Sequence, residues 1–170
     1  MDLHDKATGQ RNFVERIAAV IPGFKGYMEK ELRRDTDKIQ REFVSKKLMG
    51  QKNKVKDALN ELISGGDIDG ITPFEKLMNR LDGVGQKILA ADRGWSGVFD
   101  AVKVTEETLE RVYKFDVSLM EGATEVEKKL SQLGSVDKDT SIQIVKEATK
   151  LVTEVENYFA KREEILEKGA

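Results

Sequence analysis

Between Leu109 and Leu133 apolar residues recur at alternating steps of three and four, and no other feature restricts the possible folds of this chain as tightly. Leu109, Asp116, Ala123 and Leu130 occupy one seam position, and Val112, Leu119, Val126 and Leu133 the other. A 3.5-residue repeat keeps one stripe facing a neighbour, so this segment is expected to be a helix packed lengthwise on others, in the manner of a coiled coil. Thr105, followed by Glu106 and Glu107, supplies a hydroxyl cap and first-turn acids for its start, and Gly134 its end.

Three other stretches share the rhythm. Leu32, Ile39, Phe43, Leu48, Val55, Leu59 and Leu62 predict a helix from Met28 to the Gly65-Gly66 stop. That is about 36 residues, or roughly 54 Å at 1.5 Å per residue. Gly50 inside it marks a kink or a close helix contact. Thr72-Pro73-Phe74-Glu75 reads as a capping box with proline in the first turn, opening a helix whose stripe is Phe74, Leu77, Leu81, Val84, Ile88 and Ala91. After Ser135 or Asp137, the residues Val145, Val152, Phe159 and Leu166, with Ala148, Val155 and Arg162 between them, predict a last helix.

Short connections between four long helices imply antiparallel neighbours. The expected fold is therefore all-α, an up-down-up-down four-helix bundle over residues 10–170 as a single domain. Residues 1–9 are read as a flexible leader. Residues 10–20 are read as a short extra helix carrying Phe13, Val14, Ile17, Ala18 and Ile21, stopped by Pro22-Gly23. Residues 91–104 hold two glycines and the lone Trp95, with Val98, Phe99, Val102 and Val104, and are expected to cover one end of the core as an apolar lid loop between the second and third long helices.

Composition excludes several chemistries. There is no cysteine, which removes disulfides, thiolate metal sites and cysteine nucleophiles. The one histidine, His4, lies in the leader, so a di-iron site built from two Glu-x-x-His pairs lacks its nitrogen ligands. No phosphate-cradling glycine loop is present, and Gly94-Trp95-Ser96-Gly97 imitates a nucleophile elbow without a base nearby. We expect no metal, no cofactor and no catalytic residue. The absence of a long apolar run or signal-peptide core makes a cytoplasmic location, without a membrane span, the expectation.

Charge is unevenly distributed. Residues 25–56 carry 11 Lys/Arg against 5 Asp/Glu, and residues 105–168 carry 10 against 15. Basic and acidic helices lying side by side account for this asymmetry. A polyanion-binding face along the first long helix is the alternative, but its cations spread around the helix without interleaved aromatics, so nucleic acid is not favoured.

Projection at 100° per residue places Asp35 and Thr36, Asp92, Asp116 and Arg162 on the apolar faces of four different helices, all near the lid end. Isolated core charges cost several kcal/mol, so these groups must pair or open to water. The preferred reading is a buried salt-bridge layer of Arg162 with one or two aspartates. The functional alternative is a site for a small polar ligand or cation formed by Asp35, Asp92, Arg93, Trp95, Asp116, Tyr158 and Arg162.

Residues 22–27, 30–37 and 93–104 resemble recurring segments of an uncharacterised family of prokaryotic helical proteins. That resemblance implies a helical fold and transfers no activity or site residue. The functional expectation is a non-catalytic interaction protein, a scaffold or adaptor for an unidentified protein partner, with homo-oligomerisation left open.

Overall fold

The computed structural model describes residues 3–24, 30–66, 70–91, 105–134 and 136–168. Among these there is no strand, and the helices are α1 (Leu3–Val20), α2 (Lys30–Met49), α3 (Lys52–Ser64), α4 (Ile71–Ala90), α5 (Glu106–Leu130) and α6 (Lys138–Lys168). The helical segment anticipated over residues 10–20 extends back to Leu3. The lid segment, apart from Ala91, lies outside the described residues.

Start and stop signals act with mixed success. Thr105 caps α5, its Oγ1 accepting from the Thr108 amide at 3.2 Å. Asp137 caps α6, its carboxylate accepting from the Thr140 amide at 3.0 Å and from the Thr140 hydroxyl at 2.7 Å. Those bonds, the amide first, hold the Asp137 carboxyl below its ordinary value. The turn after α5 closes at Gly134, whose φ of 88° would strain a residue with a side chain. By contrast, Thr72 is no cap. α4 begins at Ile71 after Gly70, which leaves Thr72 exposed inside the first turn, where Pro73 is still tolerated because those amides have no intrahelical acceptor.

The single long helix expected from Met28 to the Gly65-Gly66 stop is two. At Gly50-Gln51 the Gln51 amide bonds to the Leu48 carbonyl in a tightened turn, and the Gln51 side chain donates to the Lys47 carbonyl at 3.2 Å. A side chain that supplies such a local bond competes with the helical ladder, which resumes at Lys52. The phase of the buried stripe survives: Asp37, Arg41, Val44, Leu48, Gln51, Val55, Leu59 and Leu62 are all buried at steps of three and four.

α5 and α6 share the largest interface, and α2 lies against both α4 and α5, with α6 also against α4. Residue pairs fix the relative directions. α2 and α4 are antiparallel, as Arg41 reaches the carbonyls of Leu89 and Ala91 while Met49, further along α2, lies against Gly85, earlier on α4. α5 and α6 are antiparallel too, matching Asp116 with Arg162 and Lys129 with Glu147. Between α5 and α6 the helices approach closely at Gly122, where an added Cβ would lie 2.7 Å from Val155 Cγ2. α2 and α5 run in the same sense. The expectation that consecutive helices are antiparallel neighbours therefore meets an exception: α4 and α5 are not a principal pair.

Apolar burial divides into two clusters. The larger draws on α2 to α6 and includes Leu48, Phe74, Leu81, Leu119, Val126, Val145, Val152 and Phe159. The smaller holds Ile17, Ile21, Phe24, Leu109, Val112, Tyr113, Val117, Met120, Ile165 and Leu166. On α6 the change occurs around Arg162, whereas on α5 the smaller cluster runs past Asp116 to Met120 and the larger begins at Leu119.

Candidate functional site

Arg162 is fully buried on α6 and stands between Phe159 of one apolar cluster and Ile165 of the other. Helical spacing along the seam puts it inward; the energetic problem of a buried guanidinium is answered by carboxylates from three directions. Its Nε donates to Asp116 Oδ1 of α5 at 2.6 Å, its Nη2 to Asp37 Oδ1 of α2 at 2.7 Å, and its Nη1 to the adjacent Glu163 Oε1 at 3.1 Å. A planar fork with five donors suits this convergence better than an ammonium would.

Asp37 is shared. Its second oxygen accepts from Arg41 Nε at 2.9 Å, one turn further along α2. Arg41 in turn donates through Nη1 to the Ala91 carbonyl at 2.7 Å and the Leu89 carbonyl at 3.2 Å. These belong to the last turn of α4, whose carbonyls lack intrahelical donors and carry the negative end of the helix dipole. An arginine of one helix thereby caps the end of another.

The layer thus contains two cations and two fully buried carboxylates, with Glu163 half-buried at its edge. Burial pushes the Glu163 carboxyl above its ordinary value; Arg162 opposes that shift and Asp37 adds to it. Gln40, on α2 between Asp37 and Val44, is 1% exposed, and neither its amide nitrogen nor its amide oxygen has a hydrogen-bond partner. Such a group is costly, at about 1–3 kcal/mol for each unmet bond.

The proposed site residues are distributed as follows. Asp116 and Arg162 meet directly. Asp35 does not join them: it is exposed on the outer side of α2, and Asp37 holds the inward position. The apolar residues used to orient the helix caused that error, because Ile39 and Phe43 are only half-buried and face the smaller cluster, which turns the apparent stripe away from its true centre. Thr36, by contrast, is buried as projected. Tyr158 is half-buried against the larger apolar cluster. Asp92, Arg93 and Trp95 lie outside the described residues.

Asp37, Arg41, Gln40 and Glu163 were missed. For the first two a signal existed, since counting polar residues as members of the heptad stripe places both on it. The described residues contain no group of three acidic, histidine or cysteine side chains arranged to hold a metal ion, and no described helix is long and apolar enough to cross a membrane.

Ion pairs tie the outer surface across helices: Arg80 and Lys87 of α4 converge on Glu156 of α6, Lys47 of α2 pairs with Glu127 of α5, and Lys129 of α5 with Glu147 of α6. Lysine hydrogen bonds hold Glu127, Glu147 and Glu156 below their ordinary carboxyl values. Compared with known proteins, the chain matches no family model, no curated sequence and no solved structure.

Proposed function

We propose that this chain is a non-catalytic interaction protein, a cytoplasmic scaffold or adaptor built as a bundle of four long helical arms alternating in direction, with α2 and α3 forming one arm. The observation that carries this reading is the use made of Arg162, whose three nitrogens all donate to carboxylates of the same chain. The charges with the strongest potential for chemistry are occupied in holding helices together. What remains is a long, densely charged outer surface suited to a protein partner.

Cross-linking from exposed positions on α4 and α6 in the native cell, followed by titration with the purified captured protein, tests the proposal. A saturable complex of defined stoichiometry is expected. If no saturable complex forms, or if the purified chain turns over a substrate, the reading is wrong.

Gln40 favours a second reading, in which a small polar ligand or cation enters the same end beside Asp37, Asp116 and Arg162. Its unmet amide lies on the inward face of α2, one turn from Asp37. Gln40→Leu separates the two readings. Without a ligand, removing the buried amide should leave the melting temperature unchanged or raise it. A fall of several degrees, together with loss of ligand-dependent stabilisation, would support a site. The polyanion reading is weakened by pairing, since Lys38, Lys47 and Lys52 each have an acidic partner; retention on heparin that falls with salt and with charge reversal at Lys38 would revive it.

A further inference from the structure

We propose that α1 is the displaceable occupant of a helix-receiving groove on α5 and α6, and that the groove's partner is an amphipathic helix with the anchor pattern of α1. The proposal deepens the interaction reading and rests on it.

α1 is attached differently from the rest of the molecule. Among the described residues every other helix has at least two principal packing partners, whereas α1 has one, α5. Of its side chains described over residues 11–20, only Ile17 is fully enclosed; Ile21 and Phe24, just beyond the helix, are the other two deep contacts. Phe13 and Val14 of α1 also pack, partly buried, against the same cluster, so Phe13, Val14, Ile17 and Ile21 recur at the helical spacing by which an amphipathic helix docks into a groove, and Phe24 follows after the Pro22-Gly23 turn. They seat among Leu109, Val112, Val117 and Met120 of α5 with Ile165 and Leu166 of α6, and Ile39 and Phe43 of α2 pack against the same cluster.

Charge sets the orientation of the guest. Arg16, one position before Ile17, pairs with Glu121 of α5, and both side chains are more than half exposed. No other described ion pair links α1 to the body of the protein. A partner helix with apolar residues at the positions of Phe13, Val14, Ile17 and Ile21, and a cation just before the third of them, would reproduce the described helical contacts that α1 makes there. Competition follows from tethering: an intramolecular α1 acts at an effective concentration on the order of millimolar, so an external helix binds weakly until α1 is released.

The test uses the full chain carrying Ile17→Asp with Ile21→Asp, and as probe a fluorescent peptide of residues 3–24. Saturable binding at least about tenfold tighter than to the unaltered chain is expected, because the competitor has been removed. A peptide with Arg16→Glu should bind the released chain several-fold more weakly, and Glu121→Arg in that chain should restore it. Since the chain has no cysteine, a bis-maleimide bridge between cysteines placed at 16 and 121 can pin α1 and should abolish binding.

The proposal is overturned if the released chain does not bind the peptide, if binding ignores the charge exchange, or if Ile17→Asp with Ile21→Asp unfolds the whole protein, which would make α1 integral to the fold. A dimer formed by mutual exchange of α1 in the unaltered chain would also overturn it, by assigning the groove to a second copy. Loss of the groove leaves the cross-linking test of the interaction reading unaffected, because that test registers a saturable partner wherever on the outer surface it binds.

Discussion

α2 and α4 lie against one another, antiparallel, yet they bury opposite kinds of side chain. α4 presents Phe74, Leu77, Leu81, Val84 and Ile88, all apolar, and Gly85, where the Met49 side chain of α2 approaches most closely. α2 buries Thr36, Asp37, Gln40, Arg41 and Ser45, with only Val44 and Leu48 in the larger apolar cluster. Both stripes follow the same period. The difference teaches that helical phase and chemical character are separate choices, and that a core position is defined by spacing even when a charge occupies it.

The contrast is broken most severely by removing one charge. Arg162→Met removes the cation that Asp37 and Asp116 share in a buried layer, and a loss of about 3–5 kcal/mol is expected in chemical denaturation. Leu81→Ala on the apolar side should cost about 2–5 kcal/mol through lost burial and a residual cavity. Single substitutions therefore do not distinguish the two faces. Concerted replacement does: exchanging Asp37, Arg41, Asp116 and Arg162 together for apolar residues of similar volume should fall near neutral or stabilise by about 1–4 kcal/mol, because the desolvation penalty disappears with the charges. A loss as large as that of Arg162→Met would show that the layer stabilises the fold outright.

Gly122→Ala probes a close approach of α5 to α6 on the apolar side of the charged layer. A methyl group 2.7 Å from the stiff, branched Val155 forces a backbone shift, and a loss of about 1–3 kcal/mol is expected despite the better helix propensity of alanine. If stability rises, the helices are further apart than described.

The smallest effect concerns protons. Folded Glu163 keeps its proton to higher pH than the unfolded chain does, so its contribution to stability improves as pH falls through the interval between the ordinary and the raised value, and worsens as pH rises. Glu127 and Glu156 act in the opposite sense: their stabilisation is present above the ordinary carboxyl value and is lost as pH falls through their lowered ones. Glu163→Gln should therefore gain most over the native chain at neutral pH, the advantage shrinking in mild acid. An advantage independent of pH would assign the effect to packing.

Much of the helical layout was legible. Glycine stops, the Thr105 cap and the α5 and α6 seams could be read directly because apolar spacing, turn chemistry and capping all agreed there. Three features were not. Gly50 marks the interruption of the long helix, but the restart of a separate helix at Lys52, with the Gln51 side chain bonded to the Lys47 carbonyl, is not encoded in apolar spacing. The start of α4 shifted because a threonine that can cap is only one of several ways to satisfy the first amides. Asp35 lies on the face that the apolar residues of α2 mark, whereas the face that is buried carries Asp37 and other polar residues. At Asp116 and Arg162, where apolar neighbours flank the charge on both sides, the two faces coincide.

The charged stratum around Arg162 also limits how the rods can slide. Shifting α6 along α5 by a single pitch, about 5.4 Å, would carry the guanidinium away from Asp116 and Asp37 and into hydrocarbon above or below. Grease tolerates such slippage, since one methyl group replaces another; an ion surrounded by its counter-ions does not. The layer is thus a detent, selecting one axial alignment from several that the repeating seams alone would accept.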